Sequence, residues 1–315
     1  MSEHPVLARR GRLLRIGAAV VVLLAVAGYV AVQYATGSRP TPRCVVVSAP
    51  TDQDSGARYE FTAEQAANAA TISAVGTSRG MPERAVTIAL ATALQESGLR
   101  NIRHGDRDSL GLFQQRPSAG WGSAEQIMDP AYAAERFYAH LDKVPGYSRL
   151  PLTVAAQRVQ RSGYPQAYAK HEPDATLLSA ALTGRVAASL TCEGRPVGGE
   201  GARPGEPDRV RAALVRDFGR DVRAAAGRDA RSVRVPVPAT VASAQGGERQ
   251  RGWELAQWAV ANSSALRIDR VSYAGREWVA GDAGNAWHKM SVRGRAGAAS
   301  KAAASLDEVR IVTGQ

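Results

Sequence analysis

Glu96 stands at the end of a long apolar stretch, where a carboxylic acid could transfer a proton. The segment that starts at Pro82 is apolar nearly all round until Gln95-Glu96-Ser97, and Gly98 follows. A carboxylate at the C-terminal end of a buried helix faces the negative end of the helix dipole and a medium of low dielectric constant. Both effects disfavour its ionised form. We therefore expect Glu96 to stay protonated near neutral pH and to act as a general acid, for example toward a glycosidic oxygen.

Helices must position this acid, and the sequence marks where two of them begin. Thr62 and Gln65 have the spacing of a capping box, which opens a helix of Ala, Ile and Val. Pro82 has the position of a first helical residue, and Gly98 ends the same helix. Three further helices are predicted farther along the chain, over 130–143, 151–161 and 174–190. Residues 44–192 are therefore expected to form a mainly α domain.

A linker is expected to separate that domain from a second one. Residues 193–208 are dominated by Gly and Pro and lack apolar periodicity. After the linker the sequence predicts two helices, a hairpin and a final strand, in that order: 208–227, 249–266, 268–280 with its turn at Ala274-Gly275, and 309–312. We therefore expect residues 209–315 to form a small α+β domain.

An apolar stretch near the N-terminus predicts attachment to a membrane. It occupies residues 16–35, and its nineteen uncharged residues 16–34 span about 28 Å as a helix, which matches one hydrocarbon core. The basic segment 1–15 before it places the N-terminus in the cytoplasm by the positive-inside rule. The alternative is a cleavable signal peptide with a small-x-small site at 25–27. In either case the chain from about Ser38 onward lies outside the cell, in a single-pass membrane protein or a secreted one.

The charge is distributed unevenly along the chain. Of the net charge of +11, residues 1–44 carry +5, residues 193–315 carry +6, and residues 45–192, with fourteen basic and fourteen acidic side chains, carry none. The middle segment has no excess basic charge for a phosphate backbone, so we expect no nucleic-acid partner. A composition of 44% hydrophobic and 22% charged residues also excludes wholesale disorder.

Two cysteines, Cys44 and Cys192, bracket the charge-neutral segment. Thiols oxidise outside the cell, so we expect them to form a disulfide. The bond would close a loop of about 150 residues and stabilise the fold by up to about 5 kcal/mol by restricting the unfolded chain. With no other cysteine, the chain cannot form a disulfide-dense scaffold or a Cys-rich metal site.

The segment that begins at Glu96, ESGLRNIRHGDRDSLGLFQQRP, resembles the lysozyme superfamily, in particular lytic transglycosylases and goose-type lysozymes. In that family a Glu-Ser at a helix end is followed by a loop and a Gly-Leu-Met-Gln-type segment. The resemblance implies a lysozyme-like helical fold for residues 44–192, with Glu96 as the general acid. It also implies that Ser97, Gly111 and Gln114 help to bind the sugar.

The resemblance leaves the second catalytic group open. Asp106 lies in a Gly-Asp-Arg that resembles the goose-type loop whose Asp helps to position the attacking water. Asp108 closely precedes the Gly-Leu-Phe-Gln segment, as the second carboxylate does in hen-type lysozymes. Arg116 stands where goose-type enzymes often have another Asp, and Phe113 replaces the usual Met. Both aspartates therefore stay candidates.

The lysozyme-like resemblance implies a peptidoglycan glycosidase that cleaves between N-acetylmuramic acid and N-acetylglucosamine and needs no cofactor. Trp121, Tyr164 and Tyr168 are the aromatic residues that could stack on sugar faces, although isolated aromatics often belong to the core or its rim. Attack by water would make the enzyme a muramidase. Attack by the muramyl 6-hydroxyl would make it a lytic transglycosylase. The alternative is a catalytically inactive protein that binds the wall or acts as an envelope scaffold.

The C-terminal segment carries a second, degenerate resemblance. The run RGWELAQWAVANSSALRIDRVSYAGREW, and later LDEVRIV, resembles the back half of zinc D-alanyl-D-alanine carboxypeptidase-like domains. Those domains usually end in Asp-His-x-His, where this chain has Asp307-Glu308-Val309-Arg310. His288 is then a lone histidine, and one imidazole does not make a zinc site. We expect a metal-free, non-catalytic module here rather than a zinc peptidase.

Overall fold

Helices dominate the chain between Cys44 and Cys192, and an antiparallel sheet dominates its C-terminal part. The computed structural model describes the following residues: 18–29, 43–49, 56–194, 204–237, 246–282, 286–290 and 307–314. About half of these residues are helical. The chain divides into two units, residues 1–41 and residues 42–315.

The first unit contains one described element, helix α1 at residues 18–29. Its large apolar side chains are exposed: Val20, Val21, Val22, Leu23, Leu24, Val26 and Tyr29. The helix falls inside the apolar segment 16–35, whose other residues lie outside the described part of the chain. Within the described ranges, no helix combines the length and the apolar character that a membrane crossing requires.

The helical part of the second unit contains a small three-stranded sheet. Its helices are α2 (Ala63–Ser78), α3 (Glu83–Ser97), α4 (Ala124–Ile127), α5 (Pro130–Leu141), α6 (Leu152–Gln160) and α7 (Glu172–Leu182), with 3-10 turns at Pro117–Ala119, Tyr147–Arg149 and Ala169–His171. Strand β1 (Arg43–Val47) lies between β2 (Arg58–Thr62) and β3 (Leu190–Cys192), antiparallel to both. Cys44 pairs with Cys192 in the register, and the predicted disulfide joins them.

The start of α2 and the end of α3 confirm the local sequence signals, whereas α3 begins at Glu83, one residue after the predicted first position. Thr62 caps α2: its Oγ1 accepts a hydrogen bond from Gln65 N at 3.3 Å, and Gln65 Oε1 accepts one from Thr62 N at 2.8 Å. Pro82 directly precedes α3, and Gly98, with φ +62°, ends it in the left-handed conformation. Helix α3 contacts α2, α5, α6 and α7, so it is the central helix that the sequence predicts.

The remaining predicted helices exist but end elsewhere. The predictions 130–143 and 151–161 correspond to α5 and α6. The helix predicted over 174–190 begins at Glu172 and stops at Leu182, so its last residues were wrongly predicted. Gly184 adopts φ +74°, and Leu190–Cys192 pair with β1 as a strand, which a continuing helix would prevent.

The C-terminal part is a six-stranded antiparallel sheet with helices beside it. Its elements are α8 (Pro207–Phe218), β4 (Ala225–Ala226), β5 (Ser232–Pro236), α9 (Gly247–Ala261), α10 (Ser263–Leu266), β6 (Ile268–Tyr273), β7 (Arg276–Val279), β8 (His288–Lys289) and β9 (Glu308–Thr313). The strand order is β4-β5-β9-β6-β7-β8. The hairpin at Ala274-Gly275 and the final strand are confirmed. The helix predicted over 208–227 was too long, because Gly219 caps α8 and β4 pairs with β5.

Helix α9 joins the helical part to the sheet. It contacts α2, α7 and β3 of the helical part and β6 and β9 of the sheet. Gln257 on α9 donates to Ala181 O at 2.6 Å and accepts from Leu190 N at 2.9 Å. The two predicted domains therefore share packing within one unit. Most of the predicted linker, residues 195–203, lies outside the described residues, and the domain boundaries stay a prediction.

Candidate active site

Glu96 occupies the last turn of α3, where its carboxyl group is half-buried. The left-handed Gly98 turns the chain sharply away, since its N–H bonds Leu94 O at 3.0 Å and Leu99 N bonds Ala93 O at 3.1 Å. The helix thus stops one turn after its buried apolar residues. Glu96 is therefore neither fully buried nor fully exposed.

Tyr168, which lies 72 positions farther along the chain, contacts the same carboxyl group. Its hydroxyl donates a hydrogen bond to Glu96 Oε1 at 2.7 Å, and its ring is fully buried. Burial raises the pKa of Glu96, while hydrogen bonds from Tyr168 and Gln160 partly oppose that rise. The upward direction is the one that the sequence predicts, and the protonation of Glu96 near neutral pH stays a prediction. Burial and the neighbouring Glu96 charge also raise the pKa of Tyr168, so the phenol stays a donor.

A tight turn over residues 110–115 lies beside the end of α3. Leu110 and Gln115 bond each other reciprocally at 2.9 and 3.0 Å, and Gly111 N donates to Ile102 O at 2.8 Å. Gly111 has φ +75°, and a Cβ there would stand 2.7 Å from Ile127 O. Glycine is therefore required at this point of the turn.

Side chains from two helices hold the turn in place. The buried Ser97 hydroxyl donates to Leu112 O at 2.8 Å, and Gln160 Nε2 at the end of α6 donates to Phe113 O at 2.7 Å. Gln160 therefore forms hydrogen bonds with both the turn and Glu96. The structure places Ser97, a predicted substrate-binding residue, beneath the turn, where it fixes the turn to α3.

Gln114, the other predicted binding residue of the turn, lies partly exposed with φ +48°. Its Nε2 donates to Gly111 O at 3.2 Å. Its Oε1 packs so closely on Gly105 that a Cβ at that glycine would come within 1.7 Å. The loop after α3 thus folds back onto the turn and meets it at Gln114.

The two candidate aspartates differ in what surrounds them. Asp108 accepts hydrogen bonds from Arg116 Nε at 2.7 Å and from Ser118 N at 2.9 Å. The Ser118 hydrogen bonds, then Arg116, hold the pKa of Asp108 far below its usual range. Asp106 is exposed, and its carboxylate has no partner among the described residues. Of the two, Asp106 is therefore the carboxylate free to engage a water molecule.

The aromatic candidates occupy distinct environments. Trp121 is half-buried and stacks on the His140 ring at 4.2 Å between centroids. Tyr164 is 78% exposed and lies on the loop between Gln160 and Tyr168, both of which contact Glu96. Tyr168 is buried, so its hydroxyl rather than its ring face is available to the site.

Sequence reasoning missed Gln160 and the hydroxyl role of Tyr168. Tyr168 is 72 positions from Glu96, and Gln160 lies 47 positions from Phe113. A short motif around Glu96 does not contain either residue, so their contribution depends on how α6 and the loop after it return to α3. Only the packing of the helices against one another would have indicated these two residues.

The residues that resemble a carboxypeptidase back half are arranged for packing and ion pairing. Trp287 is buried and donates to Leu190 O at 3.0 Å, and His288 Nε2 lies 3.2 Å from Asp282 Oδ2. Glu308 pairs with Arg310 at 3.3 Å. Among the residues described, no group of three or more His, Cys, Asp or Glu side chains is placed to hold a metal ion.

Comparison with known families adds one match in this part of the chain. Residues 231–300 are similar to the family described as VldE, C-terminal domain. No curated protein matches the chain. The match spans less than a quarter of the sequence and is consistent with a distinct C-terminal segment.

Proposed function

We propose that this protein is an extracytoplasmic peptidoglycan glycosidase that cleaves between N-acetylmuramic acid and N-acetylglucosamine. The observation that carries the proposal is the half-buried Glu96 carboxyl group, which accepts a 2.7 Å hydrogen bond from Tyr168 beside the 110–115 turn. A carboxylic acid with a raised pKa next to a rigid turn suits general-acid chemistry on a glycosidic bond. Residues 44–192 are proposed to have a lysozyme-like fold around it.

In the first step Glu96 gives its proton to the glycosidic oxygen, and the bond from that oxygen to the sugar C1 breaks. The carboxylate that forms is stabilised by the Tyr168 hydroxyl, already in place at Oε1, and by Gln160. Positive charge develops on the sugar ring as the leaving group departs. Tyr168 is a positioning residue in this scheme, because it acts through Glu96.

The second step has two possible nucleophiles, which give different products. Water gives a proton to the Asp106 carboxylate and its hydroxyl to C1, which leaves a reducing sugar. The muramyl 6-hydroxyl, with Glu96 taking its proton, leaves a 1,6-anhydro end. The exposed and unpaired carboxylate of Asp106 supports the water route, whereas Asp108 is engaged by Arg116 and Ser118.

The proposal includes export and attachment at the membrane. The exposed apolar side chains of α1, the basic residues before it and the Cys44–Cys192 disulfide support it. The glycan strands of the wall would be the partner of the ectodomain. Whether the N-terminal segment is retained or cleaved does not alter the chemistry at Glu96.

Digestion of purified peptidoglycan by the ectodomain tests the proposal. We expect soluble fragments whose masses show either one added water or an anhydro end. A folded ectodomain that sediments with the wall but releases no fragment would contradict the proposal. That result would instead support the wall-binding or scaffold alternative.

A further inference from the structure

The loop after α3, residues 98–107, carries an excess of positive charge shortly after the candidate acid in the sequence. It contains Arg100, Arg103 and Arg107 and a single acidic residue, Asp106. All four are exposed. Among the described residues the three arginines form no ion pair, and the loop begins two positions after Glu96.

The loop after α6, residues 161–171, also carries an excess of positive charge. It carries Arg161 and Lys170, both exposed, and no acidic residue. The loop directly follows Gln160 and contains Tyr168. Both of these residues contact the Glu96 carboxyl group. Arg161 therefore directly follows one of these residues, and Lys170 lies two positions after the other.

This clustering contrasts with the rest of the helical part. Residues 45–192 are neutral overall, and the two loops hold five of their fourteen basic side chains but one of their fourteen acidic ones. The remainder therefore has four more acidic than basic residues. Several arginines there are neutralised: Arg84 pairs with Glu172 at 2.6 Å and Arg185 with Glu83 at 2.7 Å.

The first loop is held in a defined shape. Gly105 packs directly on Gln114, and Ser109 N donates to Asp106 O at 3.1 Å. Just beyond, Asp108 is bound to Arg116 and Ser118. A fixed loop presents its arginines without a large ordering cost, which favours recognition of an anion.

We infer that these two loops, residues 98–107 and 161–171, bind carboxylates of the stem peptide on the muramoyl residue. The inference rests on the proposed function and names its substrate class, a glycan with free peptide carboxylates. The peptide is attached to the sugar whose bond Glu96 would break, so its anionic groups lie close to the reacting atoms. Exposed arginines next to that acid are the groups that would meet them.

Two forms of one substrate test the inference. The first is a soluble glycan with free stem carboxylates, and the second is the same glycan after its carboxylates are converted to amides with a carbodiimide and ammonia. Cleavage and binding of both are measured for the wild type and for Arg103→Gln/Arg107→Gln at low and high salt. Arg209→Gln, an exposed arginine on α8 with no ion pair among the described residues, is the matched control.

The wild type is expected to prefer the carboxylate form, in kcat/KM and in affinity, and to lose that preference at high salt. The double variant lowers the preference about threefold to tenfold, as expected for two exposed charges, and Arg209→Gln does not. A preference that survives the double substitution would overturn the inference. So would a preference of the wild type that is the same at low and high salt.

Failure of the proposed function gives a different result. If the wild type cleaves neither glycan, the glycosidase proposal fails. The binding measurements then become the only test of the inference. Binding that favours the carboxylate form and needs Arg103 and Arg107 would then still support it. Equal binding of both forms would overturn it.

Discussion

The Tyr168 hydroxyl donates a 2.7 Å hydrogen bond to Glu96 Oε1, joining residues 72 positions apart. Because this bond stabilises the ionised carboxylate, it keeps the pKa of Glu96 lower than burial alone would. The same donor would stabilise the carboxylate that forms when Glu96 gives up its proton. The bond therefore connects the fold to the proposed chemistry, and removing it should change both rate and pH dependence.

Tyr168→Phe is expected to lower kcat about tenfold to a hundredfold, the range for loss of one hydrogen bond to a charged group. The pKa of Glu96 should rise further, and the acid form is the active one. The alkaline limb of the rate profile should therefore move to higher pH. Rate profiles over pH for Tyr168→Phe and for the control Tyr147→Phe measure this. An unmoved alkaline limb would exclude a role through Glu96.

Gly111→Ala is expected to destabilise the protein by about 1–3 kcal/mol and to disturb the turn beside Glu96. The new Cβ would meet Ile127 O at 2.7 Å in addition to the strain of φ +75°. Gly120→Ala is the matched control, since Gly120 has φ +80° but nothing within 4 Å of its would-be Cβ. Urea unfolding of both variants isolates the contact with Ile127. Equal losses would show that the backbone strain alone matters.

The two aspartates are expected to respond differently to substitution by asparagine. Asp106→Asn should slow water-dependent cleavage with little change in stability, because Asp106 is exposed and unpaired among the described residues. Asp108→Asn should lower stability at neutral pH, because the neutral amide loses the ion pair with Arg116 and has one acceptor oxygen where the carboxylate has two.

The lowered pKa of Asp108 determines the pH range in which its carboxylate stabilises the fold. Its folded pKa is depressed, so its contribution is complete above the ordinary value of 3.8 and is lost as the pH falls below it. Unfolding curves of wild type and Asp108→Asn should therefore converge in acid. Curves that stay equally far apart at all pH values would contradict the ion-pair explanation.

Reduction of the Cys44–Cys192 disulfide is expected to lower the free energy of unfolding by up to about 5 kcal/mol, because the bond closes a long loop. The β1–β3 pairing remains, so we expect the native fold to persist at lower stability. Denaturant unfolding with and without reductant measures the loss. The variant Cys44→Ser/Cys192→Ser should show no further effect of reductant. A wild-type stability unaffected by reductant would contradict the prediction.

The sequence predicted the helix ends and turns whose conformation depends on residues close by in the chain. The capping box of Thr62 and Gln65, the left-handed stop at Gly98 and the turn at Ala274-Gly275 all appear in the structure. Each is determined by hydrogen bonds or backbone angles within a few residues. The end of α8 at Gly219 was missed because the Arg-rich sequence continues the helical pattern beyond that glycine.

The candidate site depended more on contacts between distant residues. The motif located Glu96, but neither Tyr168 nor Gln160 could be placed beside it before α6 and the following loop were positioned. The environment of Asp108 likewise depended on Arg116 and Ser118 folding back across the turn. Packing, rather than local propensity, decides these relationships.

The most direct test of the account is cleavage of purified peptidoglycan by Glu96→Gln, beside the wild type and the exposed control Glu125→Gln. Glutamine keeps the size of the side chain but cannot donate the catalytic proton. The account predicts glycan fragments from the wild type and Glu125→Gln and none from a folded Glu96→Gln. Fragments of the same mass and rate from Glu96→Gln would contradict it.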